Sequence, residues 1–335
     1  MDERCPRGPV RAEGPRVGAA RARGADLSTD AGTSARGVGG GPHTVSARAE
    51  RRQALRSAVM RVRTNLGELY VEDVGQGTPV VLWHSFLHHG GMWKHQIETL
   101  RARHRVICVD APGHGRSPVV RRAFDLDDCA RAVIEILDAR GVQRTAFAGL
   151  SWGGMVAIAL ASMAPARVSS LALLDTSARR EPRIKLPRYF ALGAVFRAIG
   201  SVPALTAQVV PLMFSEQTRR ENPRLVAEWL AYVGALDGEA VWQALRCIML
   251  REDRRADLAR VRVPTLVVVG EHDVAQPLVE ARAIADAIVG ARLEIVRGAG
   301  HLTAVERPRE VSALLSAFLA EHAGGAVVSS ARAAP

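Results

Sequence analysis

The sequence is poor in the features that would tie it to several common roles. Only four residues are cysteine (Cys5, Cys108, Cys129 and Cys247), with no CxxC pair and no metal-ligand spacing. A disulfide framework is therefore not expected, and a reduced, cytoplasmic chain is. No apolar run approaches the roughly 20 residues a helix needs to cross a bilayer, so no membrane span is expected. The N-terminus also lacks the short apolar core of a secretory signal. Aromatic residues make up just 4%, yet hydrophobic residues reach 48%, ample for a large core and incompatible with a wholly disordered chain.

Lysine is nearly absent. Of 45 basic residues all but Lys94 and Lys185 are arginine, a bias that fits GC-rich coding better than selection for phosphate contacts. The formal net charge is +11, but residues 1–56 alone hold 11 arginines against 6 acids. The remaining excess is spread among interspersed acids, whereas nucleic-acid binding needs a concentrated basic face. No nucleic-acid partner is expected.

Residues 1–47 hold 9 Gly and 4 Pro and no Ile, Phe, Trp or Tyr, too little apolar surface to offset the entropy of ordering. A disordered Arg/Gly/Ala-rich tail is expected over 1–59, and a flexible one over 322–335. From Met60 the pattern changes. A hairpin is expected over 61–75 with Gly67 near its turn, followed by strand-like runs at 79–84, 105–110, 145–150, 169–175, 264–270 and 292–298. The later runs are almost continuously apolar, as parallel strands buried on both faces are. Helical patterns alternate with them, for example over 125–141, 151–163 and 277–289, and a last helix closes the fold. The expected class is α/β, a mostly parallel sheet with helices on both faces. Between Asp175 and Pro264 no strand pattern occurs, and a gap that long is not a structureless loop. Residues 179–253 are read as a helical cap between two late strands, with the core formed by 60–178 and 254–321.

The strongest local signal is Gly149-Leu150-Ser151-Trp152-Gly153, which ends an apolar strand and opens a helix. In that context G-x-S-x-G reads as a nucleophile elbow. The sharp turn brings side chains two residues either side of the serine into collision, so both must be very small. The following helix offers amide donors and a positive dipole to a developing oxyanion. Downstream, PTLVVVGEHD ends a strand ahead of Asp273, and GAGHLTAVERP places His301 after the last strand. Serine, acid and histidine in that order, each at the C-terminal end of a parallel strand, mark Ser151, Asp273 and His301 as candidate catalytic residues. Asp175 also ends a strand and is the competing acid; the GEHD context favours Asp273. Asp110 and Arg116 read as a structural pair in their loop. His84, His88, His89 and His95 fit no common metal template, so no metal is expected.

Over about residues 60–321 the chain resembles the α/β-hydrolase fold superfamily. The resemblance rests on the elbow, His84 after a buried strand, DAPGHGRS at 110–117, and the GEHD and GHLTAVERP segments. Within it, HSFLHHGGMWKHQIETL is similar to the group of 3-oxoadipate enol-lactonases and cofactor-free haloperoxidase-like esterases. One departure is His84-Ser85, where many relatives have His-Gly; enol-lactonase-like members tolerate serine there. The resemblance implies an eight-stranded, mostly parallel sheet under a cap and no cofactor. By analogy it also assigns the backbone N–H groups of Phe86 and Trp152 to an oxyanion hole. Aspartate at the position of Ser151 would have meant an epoxide hydrolase or a haloalkane dehalogenase.

The expected function is a serine hydrolase that cleaves a small apolar carboxylic ester or lactone through an acyl-enzyme. A C–C bond hydrolase, a cofactor-free perhydrolase or an acyltransferase would use the same triad. A slow or non-catalytic small-molecule receptor on this fold is the alternative from another class, and a homo-oligomer is compatible with all of these. Met213, Phe214, Trp229 and Trp242 are the pocket candidates, with Tyr232 and Met249 beside them. Arg246 could meet a substrate carboxylate, although a solvent-facing arginine is the simpler reading.

Overall fold

The computed structural model describes residues 58–322. The expected tails at 1–59 and 322–335 lie outside the described residues except at their inner edges. Ala58 and Val59 belong to the first strand, and His322 ends the last helix. The hydrogen-bonding reach of the hairpin thus extends two residues before the expected start of order at Met60.

Eight strands form one sheet in the order β1-β2-β4-β3-β5-β6-β7-β8. They are β1 (Ala58–Thr64), β2 (Gly67–Val74), β3 (Thr78–Trp83), β4 (His104–Val109), β5 (Thr145–Leu150), β6 (Val168–Leu174), β7 (Thr265–Gly270) and β8 (Arg292–Val296). The β1–β2 and β2–β4 pairs are antiparallel and all the others parallel. Alternate residues of the inner strands feed two separate cores. Val81, Ile107, Phe147, Leu173 and Val267 face one, while Val80, Val106, Ala148, Leu174 and Val268 face the other. That period of two, with both sets apolar, explains why these strands read as continuous hydrophobic runs.

Helices cover both faces: α1 (Lys94–Leu100), α2 (Leu126–Ala139), α3 (Trp152–Met163), α10 (Leu278–Ala287) and α12 (Pro308–His322), with the short α9 (Arg255–Leu258) and α11 (Thr303–Glu306). Asp125 starts α2 through a reciprocal capping box with Asp128, which satisfies two otherwise orphaned amides.

Between β6 and β7 the chain is helical: α4 (Leu186–Ile199), α5 (Pro203–Met213), α6 (Glu216–Glu221), α7 (Pro223–Gly234) and α8 (Gly238–Met249). Phe196, Leu205, Met213, Trp229 and Val241 from these helices share a buried cluster with Leu82, Ala148 and Leu174 of the sheet. Within 179–253 the sequence carries helical apolar patterns at YFALGAVFRAIG, RLVAEWLAYVGAL and VWQALRCIML, which pick out α4, α7 and α8 but not α5. That helix carries Pro211 in its interior, a residue that reads as a helix breaker.

Leu82 is fully buried in β3. Leu82→Ala should lower the unfolding free energy by about 2–5 kcal/mol in urea titrations. Val289→Ala, at a position 86% exposed, should change it by less than about 0.5 kcal/mol.

Candidate functional site

The backbone turns sharply between β5 and α3. Ser151 has φ +55° and ψ −107°, a conformation that L-residues rarely adopt and that costs about 1–3 kcal/mol. Neighbouring atoms hold it there. The Ser151 amide donates to the Leu174 carbonyl at 2.8 Å, and the Thr176 hydroxyl donates to the Ser151 carbonyl at 2.7 Å. A Cβ on Gly149 would overlap the backbone of Gly153, and one on Gly153 would overlap the Trp83 carbonyl. The two glycines of the motif are therefore steric requirements of the turn.

Ser151, His301 and Asp273 meet in one hydrogen-bonded chain. Asp273 Oδ2 accepts from His301 Nδ1 at 2.9 Å, which leaves Nε2 to accept from the Ser151 hydroxyl, also at 2.9 Å. Asp273 Oδ1 accepts from the Ala275 and Gln276 amides at 2.9 and 2.8 Å, so this carboxylate is oriented at both oxygens. All three side chains are buried. Burial acts to lower the His301 pKa, but the Asp273 carboxylate, helped by Asp175 and Glu306, outweighs it and holds the imidazole above 6.5.

Asp175, the competing acid, serves elsewhere. It is fully buried, and its oxygens accept from the Gly270 amide at 2.9 Å and the Thr303 hydroxyl at 2.5 Å. It thereby ties the end of β7 to the segment that follows His301. Burial and then the nearby Asp273 charge push its pKa well up. Glu306 supports the same loop: its carboxylate accepts from the Gly300, Leu302 and Ser215 amides, linking the His301 loop to the helical segment between β6 and β7. Sequence reading missed Glu306, although it lies within the GHLTAVERP segment.

The loop after β3 is shaped by His84. Its Nδ1 donates to the Ser85 carbonyl at 2.7 Å, and its Nε2 accepts from the Ala111 amide at 2.8 Å. Burial keeps this imidazole neutral, the state such donor–acceptor use demands. Among the described residues, neither the Phe86 amide beyond it nor the Trp152 amide opening α3 donates a hydrogen bond. Asp110 holds the facing loop by accepting from the Gly90 and Arg116 amides at 2.6 and 2.9 Å. The Arg116 guanidinium instead reaches the Tyr70 hydroxyl, so the expected pair meets through backbone rather than as an ion pair. His95 is exposed, away from buried His84. Among the described residues no group of three or more His, Cys, Asp or Glu side chains is placed to hold a metal.

A cavity of about 150 Å³ opens over Ser151 and His301. Met213, Trp229 and Met249 line it, as do Tyr189, Phe196 and Leu245, which sequence reading did not single out. Phe214 and Trp242 do not. Phe214 packs edge-on against Trp229 with ring centroids 5.5 Å apart, and Trp242 packs against Phe190 and under Arg197. Tyr232 is likewise drawn away, donating to the His88 carbonyl and accepting from the Gly115 amide. Arg246 is absent from the lining.

A family model described as the alpha/beta hydrolase family matches residues 80–314. The chain belongs to the alpha/beta hydrolase family. It is 30% identical over 262 residues to a protein of Azorhizobium caulinodans provisionally named a carbamate hydrolase, covering 76% of this chain and 96% of that one. Among solved structures, it is similar to a thermophilic esterase from Thermogutta terrifontis, with 28% identity and a TM-score of 0.74 over 80% of this chain and 99% of the other. The enol-lactonase from Burkholderia xenovorans aligns with 28% identity and a TM-score of 0.72, over 78% and 99%. An α/β hydrolase with enol-lactonase-like relatives is what the sequence motifs imply.

The electrostatics make a direct prediction. In NMR titrations the His301 ring should protonate with a midpoint above 6.5, whereas His114 and His88, lowered by burial to about 4 and about 3, should stay neutral at that pH. Asp273→Asn should lower the His301 midpoint, because it removes the charge that raises it.

Proposed function

We propose that this α/β hydrolase is a serine hydrolase that cleaves a carboxylic ester or lactone through an acyl-enzyme. The observation that carries the reading is the unbroken hydrogen-bonded chain from Ser151 through His301 to Asp273 at the base of a cavity. In this mechanism His301 Nε2 takes the Ser151 proton as Oγ attacks the carbonyl carbon. Asp273 fixes the tautomer and stabilises the imidazolium that forms. The free amides of Phe86 and Trp152 serve as oxyanion donors, each worth about 10²- to 10³-fold in rate. His301 then returns the proton to the leaving oxygen. Water, deprotonated by the same imidazole, cleaves the acyl-enzyme and regenerates Ser151.

The helices over 179–253 serve as the cap that sets substrate range, a role supported by the cavity walls they supply. The three described cysteines, Cys108, Cys129 and Cys247, are buried and free of disulfides, in keeping with a reducing, cytoplasmic setting. No helix among the described residues is long and apolar enough to cross a membrane.

A series of 4-nitrophenyl esters from acetate to decanoate tests the function. The cavity volume matches one that holds a benzene-sized ligand, so turnover should be greatest between butyrate and octanoate. Ser151→Ala should lower kcat by at least about 10⁴-fold, and Asp273→Asn by about 10⁴-fold, with unfolding midpoints close to wild type. A wild type no faster than Ser151→Ala on every ester and lactone would move the reading to a non-catalytic binder.

A further inference from the structure

In a chain so rich in arginine, the composition of the cavity wall is unexpected. None of its lining residues is Arg or Lys. The helices over Ser151 contribute Phe196, Leu205, Met213, Trp229, Leu245 and Ile248. Apart from His301, the lone ionisable carboxyl or base in the lining is Glu181, in the loop between β6 and α4.

Glu181 is 8% exposed. Its Oε2 lies 3.0 Å from Arg251 Nη2 and its Oε1 3.4 Å from Lys185 Nζ. Arg251 itself is buried behind Glu181, with its Nε donating to the Arg179 carbonyl and its Nη1 to the Ile248 carbonyl, both at 2.8 Å. Glu181, which lines the cavity, thus pairs with the buried Arg251, which does not, and offsets its charge. A ligand carboxylate entering this space would give up its hydration against apolar side chains and meet another carboxylate rather than a counter-ion.

Building on the hydrolase reading above, we propose that the substrate's acyl portion is neutral and apolar, and that Glu181 is the specificity-determining residue that closes the cavity to anionic acyl groups. The protein would accordingly not process a carboxylate-bearing lactone such as that of 3-oxoadipate, despite its likeness to an enol-lactonase. Removing the Glu181 charge uncovers Arg251, which two carbonyls still hold in place, and so converts the same cavity toward anionic substrates.

The test pairs two activated esters with the same six-carbon acyl chain, 4-nitrophenyl hexanoate and mono-4-nitrophenyl adipate. Wild type should favour the hexanoate in kcat/KM by about 100-fold or more. Glu181→Gln, which keeps the shape and an oxygen acceptor for Arg251, should narrow that ratio at least about tenfold. Equal rates on the two esters, or a ratio unmoved in folded Glu181→Gln, would overturn the assignment. Should Glu181→Gln fail to fold, Glu181→Met, close to it in volume, takes its place with the same expected narrowing and the same overturning result. A binding measurement separates this inference from the hydrolase reading: Ser151→Ala is titrated with methyl hexanoate and monomethyl adipate by isothermal titration calorimetry. No turnover of either ester by wild type, with tighter binding of methyl hexanoate, would defeat the hydrolase reading and keep the cavity assignment. Equal binding of both would defeat the cavity assignment itself.

Discussion

Ser151 is held with its backbone in the left-handed region, and every other group at the site takes its place relative to that turn. The turn exists because β5 runs through the middle of a parallel sheet, so that Ser151 meets the Leu174 carbonyl of β6 on one side. On the other, Gly153 packs against the Trp83 carbonyl at the end of β3. A Cβ at position 153 would run into that carbonyl, and one at position 149 into the backbone of Gly153 itself. The strain of about 1–3 kcal/mol stored at one residue is offset by backbone hydrogen bonds and close packing that a relaxed turn would lose. What results is a hydroxyl raised above the C-terminal edge of the sheet, where the loops after β7 and β8 also end.

The structure divides its labour between two kinds of support. The sheet sets the hydrogen-bonded chain, because Asp273 and His301 follow adjacent strands and are cross-tied by Asp175 through Gly270 and Thr303. The helices between β6 and β7 set the cavity above it, and they are anchored to the site by Glu306, which binds the Ser215 amide with one oxygen and the His301 loop with the other. Most of the cavity wall thus comes from elements other than those that carry Ser151, His301 and Asp273.

The legibility of each part follows from how local its cause is. The inner strands could be read because both faces of each are apolar, and the convergence of Ser151, Asp273 and His301 because each follows a strand end in a short segment marked by glycine. The pocket could not be read that way. Met213 and Trp229 line it while Phe214 and Trp242 do not, a distinction set by how helices cross rather than by residue type. The α5 helix was hidden by Pro211, and Glu181 by its setting in a charged loop that reads as solvent-exposed. Asp110 and Arg116 show the same limit. Their loop partnership was visible in the sequence, but the contact is carboxylate to amide, and no spacing rule distinguishes that from an ion pair.

The central claim is that Ser151 is a nucleophile activated by His301. Its most direct test is reaction with a fluorophosphonate, whose phosphorus is attacked by an activated serine oxygen as fluoride leaves, followed by tandem mass spectrometry of the modified protein. The account predicts one adduct per chain, on the peptide bearing Ser151, and none in His301→Ala. No adduct on folded wild type, or an adduct on a different residue, would contradict it.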